Sequence, residues 1–179
     1  MSLEVASKTN PMLKPRIEKV LVNMAVGKSG EPLEKAAKVL QQITGHKPCM
    51  RRAKKTIRDF GIRRGEPISC VVTLRGRSAT EFLKKAFYAI GNKISESKFD
   101  QYGNFSFGIM EHIEIPGTKY APELGIFGMD VCINISRPGY RVTRRRRMGS
   151  NTGLRHRVTR EESVQFVKEN FGVEIEKEG

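Results

Sequence analysis

Four stretches of this chain alternate apolar and polar residues with the period of a β-strand, and that alternation restricts the fold more than any other feature. Met129 to Ser136 is the clearest: Met129, Val131, Ile133 and Ile135 fall on one face, and Asp130, Cys132, Asn134 and Ser136 on the other. Ser69 to Arg75 sends Cys70, Val72 and Leu74 one way and Ser69, Val71, Thr73 and Arg75 the other. Arg16 to Val26 sets Val20, Val22 and Met24 against Lys19, Leu21 and Asn23. Phe105 to Ile115 groups Phe107, Ile109, Ile113 and Ile115, which leaves His112 and Glu114 together on the polar face and Glu111 with the isoleucines, at an edge or an end. A strand that is apolar on one side only belongs to a sheet covered on one side.

Helical spacing supplies the cover. Leu33, Ala36, Ala37, Leu40 and Ile43 recur within Glu31 to Thr44, with Pro32 in the first turn and Gly45 as the stop. Phe82, Leu83, Ala86, Phe87 and Ile90 form a second stripe, preceded by Ser78 and Glu81 in the spacing of a capping box. Val164, Val167 and Phe171 form a third, after Thr159 and Glu162 in the same spacing and before Gly172. Asn92 to Asn104 is polar and poorly periodic, and Gly117 to Gly128 reads as a loop. The fold expected is α+β, a mainly antiparallel sheet with helices packed on one face. Residues 1–15, with Pro11 and Pro15, are expected to be a flexible lead-in to a single domain over 16–179.

Charge indicates the partner. Lys and Arg number 33 against 19 Asp and Glu, a net charge of +14, which favours a polyanion. Val131 to Arg160 contains no acid and carries Arg137, Arg141, the run Arg144 to Arg147, Arg155, Arg157 and Arg160, with His156 among them. His46 to Gly65 carries Lys47, Arg51, Arg52, Lys54, Lys55, Arg58, Arg63 and Arg64 against Asp59 alone. It reads as a strand, a long basic loop over 50–65 and a return strand. Guanidinium forks match phosphate oxygens, whereas isolated charge runs are often only solvated. Two separate blocks favour nucleic acid. Nothing apolar anchors the centre of either block, so both are expected to be mobile without RNA. On the polar sheet face, Asn23, Thr73 and Arg75 offer hydrogen-bonding groups to bases, ribose and phosphate. The absence of a strongly basic helix disfavours a DNA major-groove reader, and the absence of Trp with few other aromatics disfavours a stacking platform.

Other chemistry is weakly represented. Gly27-Lys28-Ser29 lies between a strand and a helix, but Val22 stands where a phosphate-binding loop needs glycine. Cys49, Cys70 and Cys132, with His46, His112 and His156, lack metal-ligand spacing, so buried or half-buried free thiols are expected and no metal or cofactor. No apolar run reaches the roughly 20 residues of a membrane span, and no signal peptide is legible in the first residues. That points to a cytoplasmic protein with neither membrane nor small-molecule partner. An enzyme acting on RNA would have to use His112 with Glu114 or a free cysteine, none of them in a recognised motif. Turnover on RNA would reveal it, and competition between duplex DNA and RNA would reveal a DNA-compacting protein.

The motifs Ile17-Glu-Lys-Val-Leu-Val-Asn-Met-Ala-Val-Gly27, Ile43-Thr-Gly-His-Lys-Pro48, Ala53-Lys-Lys-Thr-Ile57, Arg64-Gly-Glu-Pro-Ile68, Val72-Thr-Leu-Arg-Gly76, Gly103-Asn-Phe-Ser-Phe-Gly108 and Gly128-Met-Asp130 occur in that order. Together they resemble the L5 family of large-subunit ribosomal proteins, over nearly the whole chain from Arg16. The resemblance implies a non-enzymatic constituent of the large subunit. It would bind 5S ribosomal RNA, help attach it in the central protuberance to the 23S-type RNA, touch P-site transfer RNA, and meet other central-protuberance proteins and a small-subunit bridge. It implies 5S contacts at Asn23, His46, Lys47, Thr73 and Arg75; bacterial members carry Gln where this chain has His46, which alters reach and adds pH sensitivity. It implies transfer-RNA contacts from the 50–65 loop through Arg51, Arg52, Lys54, Lys55 and Arg58. The extension over 137–158 is absent from bacterial members and resembles the archaeal and eukaryotic branch; Arg137, Arg141, Arg144, Arg145, Arg146, Arg147, Arg155 and Arg157 are its expected ribosomal-RNA contacts.

Overall fold

The computed structural model describes residues 10–118 and 121–176. Most of the expected lead-in, and two residues of the expected 117–128 loop, lie outside the described residues. Strand β1 (Arg16–Ala25) runs into helix α1 (Glu31–Thr44), then β2 (Cys49–Arg52), β3 (Pro67–Leu74) and helix α2 (Gly76–Ala89). Short β4 (Lys93–Ser95), β5 (Phe105–Ile109) and β6 (Met129–Ser136) follow, then the single turn α3 (Arg141–Arg144), helix α4 (Arg160–Phe171) and β7 (Glu174–Glu176). Five strands form one sheet in the order β2-β3-β1-β6-β5, every neighbouring pair antiparallel.

The alternation sets which face is dry. Val20, Val22 and Met24 of β1, Cys70, Val72 and Leu74 of β3, and Val131, Ile133 and Ile135 of β6 are all buried. They join one core with Leu33, Ala36 and Leu40 of α1 and Phe82, Leu83, Ala86 and Phe87 of α2. Phe87 is the centre of an aromatic cluster, its ring 5.5 Å from Phe107 and 5.1 Å from Phe171. The α+β expectation, helices on one face of an antiparallel sheet, is what the chain forms.

Helix boundaries follow local chemistry in two of three cases. In α1, Gly45 takes φ +69°, a left-handed stop, and its N–H donates to the Gln41 carbonyl. In α4, the expected capping box forms between Thr159 and Glu162, and Gly172 closes the helix at φ +65°. The Ser78/Glu81 box does not form. The chain turns from strand to helix at Arg75 and Gly76, so Ser78 already lies inside the first turn, and Glu81 pairs with Arg77 at 2.7 Å.

Two segments depart from the expected pattern. The strand expected over 105–115 ends at Ile109, the last residue with a partner on β6, Met129. Beyond it the chain folds inward through a 3₁₀ turn (His112–Glu114). His112 is therefore 3% exposed rather than beside Glu114 on the polar face, and Glu111 is exposed rather than with the isoleucines. The polar segment after α2 contains β4, whose Ile94 pairs with Ile175 of β7 in a small parallel sheet. A three-residue strand with its partner at the far end of the chain leaves no local periodicity to read.

Candidate nucleic-acid interface

The face of the sheet away from the helices is open, and its registers bring distant residues into rows. Cys49, Val71, Asn23, Asp130 and Gly108 stand opposite one another across all five strands. The adjacent row is Thr73, Leu21, Cys132 and Ser106. Arg75 follows Thr73 just past the end of β3, its side chain 62% exposed. Asn23 is half-buried and donates from Nδ2 to Asp130 Oδ2 at 3.5 Å; Thr73 is exposed. Asn23, Thr73 and Arg75 thus share one wet surface, as the alternation requires. A trough of about 680 Å³ lies on the Asn23 side of it, bounded by Leu21, Asn23, Val71, Lys98, Ser106, Asp130 and Cys132, away from Thr73 and Arg75. His46 and Lys47 are exposed in the turn from α1 to Cys49, the β2 end of the first row.

The 50–65 loop has no apolar anchor at its centre, where Ile57 and Phe60 are exposed, but it has an internal ladder of backbone bonds. Ile57 and Ile62 exchange backbone bonds at 2.9 and 3.0 Å, the Ala53 N–H donates to the Glu66 carbonyl at 2.8 Å, and Ala53 is buried. Glu66 ties the base down: one carboxylate oxygen accepts the Ser29 hydroxyl at 2.5 Å, the other the Arg63 N–H at 3.0 Å. These bonds, the Ser29 hydroxyl first, hold its carboxyl below the usual range. Gly27-Lys28-Ser29 is thus a turn whose serine serves the loop. Arg51 joins the wet face opposite Ser69, while Arg52 stands opposite Pro67 across a register shift. Lys54, Lys55 and Arg58 are exposed beyond them. Phe60, 74% exposed, and Ile57, 42% exposed, place apolar surface among these cations. The sequence showed them only as interruptions of the charge run, yet apolar side chains offered to solvent are the signal of an interaction surface.

The arginine-rich extension is partly spent on the protein itself. Arg137 is 7% exposed. It donates to Glu162 of α4 at 2.5 Å and to the Arg155 carbonyl at 3.3 Å. Burial hides this guanidinium and a carboxylate already occupies it, unlike the exposed arginines of the extension. His156 Nε2 donates to the Pro138 carbonyl at 2.8 Å, and Arg157 lies over the Tyr102 ring at 5.7 Å. Arg145 donates to the Met148 carbonyl at 2.8 Å, and Arg144 pairs with Glu18 of β1. Arg141, Arg146, Arg147 and Arg155 are exposed. These polar bonds tie the extension to the protein at several points, while its central apolar residues Met148 and Leu154 stay exposed.

The thiols differ from expectation in exposure. Cys70 is buried, which pushes its pKa up to about 11, while Cys49 and Cys132 are exposed on the wet face. Among the described residues no cluster of His, Cys, Asp or Glu has the arrangement of a metal site, and no helix is long and apolar enough to cross a membrane. His112 accepts the Phe127 N–H at Nδ1, 3.3 Å away, and burial lowers its pKa. It is a neutral core histidine, not one of a catalytic pair.

Comparison with known proteins agrees with this architecture. Residues 10–63 match the family described as Ribosomal protein L5, and residues 67–166 match the C-terminal segment of the same ribosomal family. The chain is 57% identical over 167 residues to the large ribosomal subunit protein uL5 of Sulfurisphaera tokodaii, spanning 93% of this chain and 94% of that one. It is 51% identical over 175 residues to the uL5 protein of Sulfolobus acidocaldarius, spanning 98% of each. It is 51% identical over 172 residues to that of Pyrobaculum aerophilum, spanning 96% of each. With both family segments and nearly full-length relatives in agreement, the chain belongs to the L5 (uL5) family of ribosomal proteins.

Proposed function

We propose that this protein is a non-catalytic constituent of the large ribosomal subunit that grips 5S ribosomal RNA with the open face of its sheet and helps attach it to the 23S-type RNA in the central protuberance. The observation that carries the reading is the convergence of Asn23, Thr73 and Arg75, from two strands and a strand end, on one uncovered surface. Hydrogen-bonding groups there suit ribose and base edges, and Arg75 suits phosphate. His46 and Lys47 extend the contact at the β2 edge. Lys54, Lys55 and Arg58, with Arg51 and Arg52 at the loop's base, serve P-site transfer RNA, and Phe60 adds an apolar contact to that tip. Arg141, Arg144, Arg145, Arg146, Arg147, Arg155 and Arg157 serve ribosomal RNA phosphates. Central-protuberance proteins and a small-subunit bridge complete its surroundings on a cytoplasmic ribosome.

The test is binding to 5S RNA and to an unrelated RNA duplex at matched salt. The reading expects a clear preference for 5S RNA and a loss of about 1–3 kcal/mol for Arg75→Ala, the size of a charge-assisted bond. Equal affinity for both RNAs would overturn it.

A further inference from the structure

The wet face and the arginine-rich extension meet at Glu18. This residue lies at the register shift between Ile17 and Lys19 of β1, its side chain 12% exposed. One of its carboxylate oxygens stands 4.0 Å from the Arg75 guanidinium. The same carboxylate pairs with Arg144, the last residue of α3. The two arginines come from the end of β3 and from the extension, and they stay 62% and 51% exposed while sharing this one acid.

Electrostatics alone makes Glu18 a liability on a surface that binds a polyanion, because its charge repels phosphate. Geometry argues the opposite. Two guanidinium groups brought together in the free protein repel each other, and a carboxylate between them offsets that repulsion. A guanidinium has five N–H donors; Arg144 gives one edge to Glu18 in a hydrogen bond, Arg75 is held near it by charge at 4.0 Å, and both keep N–H groups for phosphate. Holding Arg144 and biasing Arg75 towards the same carboxylate in advance also lowers the conformational entropy lost on binding.

We propose that Glu18 is a positioning residue that holds Arg75 and Arg144 as a single phosphate-binding fork and so joins the sheet face and the extension into one RNA surface. The proposal rests on the 5S RNA reading above and deepens it. Simple charge bookkeeping and positioning predict opposite signs for loss of the acid, which makes the idea testable.

The experiment measures affinity for a 5S RNA transcript at fixed salt for wild type, Glu18→Gln, Glu18→Asp, the Arg75→Ala/Arg144→Ala double variant, and that double variant with Glu18→Gln added. Glu34→Gln, on the exposed side of α1, is the charge-matched control, and urea unfolding of each variant shows that it is folded. Positioning expects Glu18→Gln to weaken binding about tenfold, the scale of a lost charge-assisted bond. Glu18→Asp, which keeps the charge but shortens the reach, should also weaken it, while Glu34→Gln leaves affinity unchanged or slightly raised. In the background lacking both arginines, Glu18→Gln should add nothing, since it acts through them. Unchanged or tighter binding by Glu18→Gln, or an equal loss in the double-arginine background, overturns the proposal. Failure of wild type to prefer 5S RNA sinks the parent reading instead, a result separate from any effect of Glu18.

Discussion

Replacing Arg137 with alanine tests whether the extension is anchored as described. Arg137 is 7% exposed, and its two terminal nitrogens serve Glu162 at 2.5 Å and the Arg155 carbonyl at 3.3 Å. A hydrogen bond between charged partners is worth about 1.5–3 kcal/mol, and one to a carbonyl somewhat less. Two features reduce the total. The Glu162 side chain is 39% exposed, so water can solvate it once the arginine is gone. The Arg137 Nε atom is buried without a partner, so the wild type already carries a desolvation cost that alanine removes. The expected loss is therefore about 2 kcal/mol, seen as a lower urea midpoint with an unchanged m-value. For a chain of this length that corresponds to a fall in Tm of roughly 4–8 °C. The salt dependence of RNA binding, measured where the variant is folded, should not change, because this guanidinium is not offered to phosphate. Wild-type stability together with a shallower salt slope would refute the reasoning and return Arg137 to the RNA surface.

Other outcomes follow from the same structure. Arg146→Ala with Arg147→Ala should leave stability within about 0.5 kcal/mol and lower the slope of log affinity against log salt by about 1.5, from roughly 0.7–0.9 per phosphate contact; an unchanged slope removes these residues from the contact set. Phe87→Ala should cost about 3–5 kcal/mol in urea unfolding, because it empties the centre of the aromatic cluster; a loss under 1 kcal/mol would mean the cluster is not packed as described. For His112 burial lowers the folded-state pKa below its unfolded value. The protonated form therefore favours unfolding, and the stability contribution is full above the unfolded pKa of about 6.5 and lost as pH falls from there through the lower folded-state pKa. Wild type should lose stability relative to His112→Gln as pH falls below about 6.5, and parallel pH profiles would contradict the assignment.

Much of this architecture was legible because it is local. Period-two alternation in Arg16–Ala25, Pro67–Leu74 and Met129–Ser136 settled which side chains face α1 and α2, and hence placed Asn23 and Thr73 on the open face. The Gly45 and Gly172 stops, and the Thr159 box, were legible for the same reason: each depends on residues within one turn. What escaped depends on partners far along the chain. His112 looked like part of an alternating strand because its own neighbours alternate, yet β6 offers no residue for the chain to pair with beyond Ile109. Arg137 looked like one more arginine in a basic run because Glu162 lies 25 residues further along the chain. Glu18 looked like an ordinary strand residue because Arg75 and Arg144 reach it only after the sheet is assembled. Charge composition points to a polyanionic partner; only the fold distinguishes the exposed arginines from those bonded internally.

A chemical footprint of 5S RNA, compared between wild type and the Asn23→Ala/Thr73→Ala/Arg75→Ala triple variant, tests the central claim most directly. The account predicts a defined protected patch that disappears in the triple variant and survives when Arg146 and Arg147 are replaced instead. A patch untouched by the triple variant would contradict it.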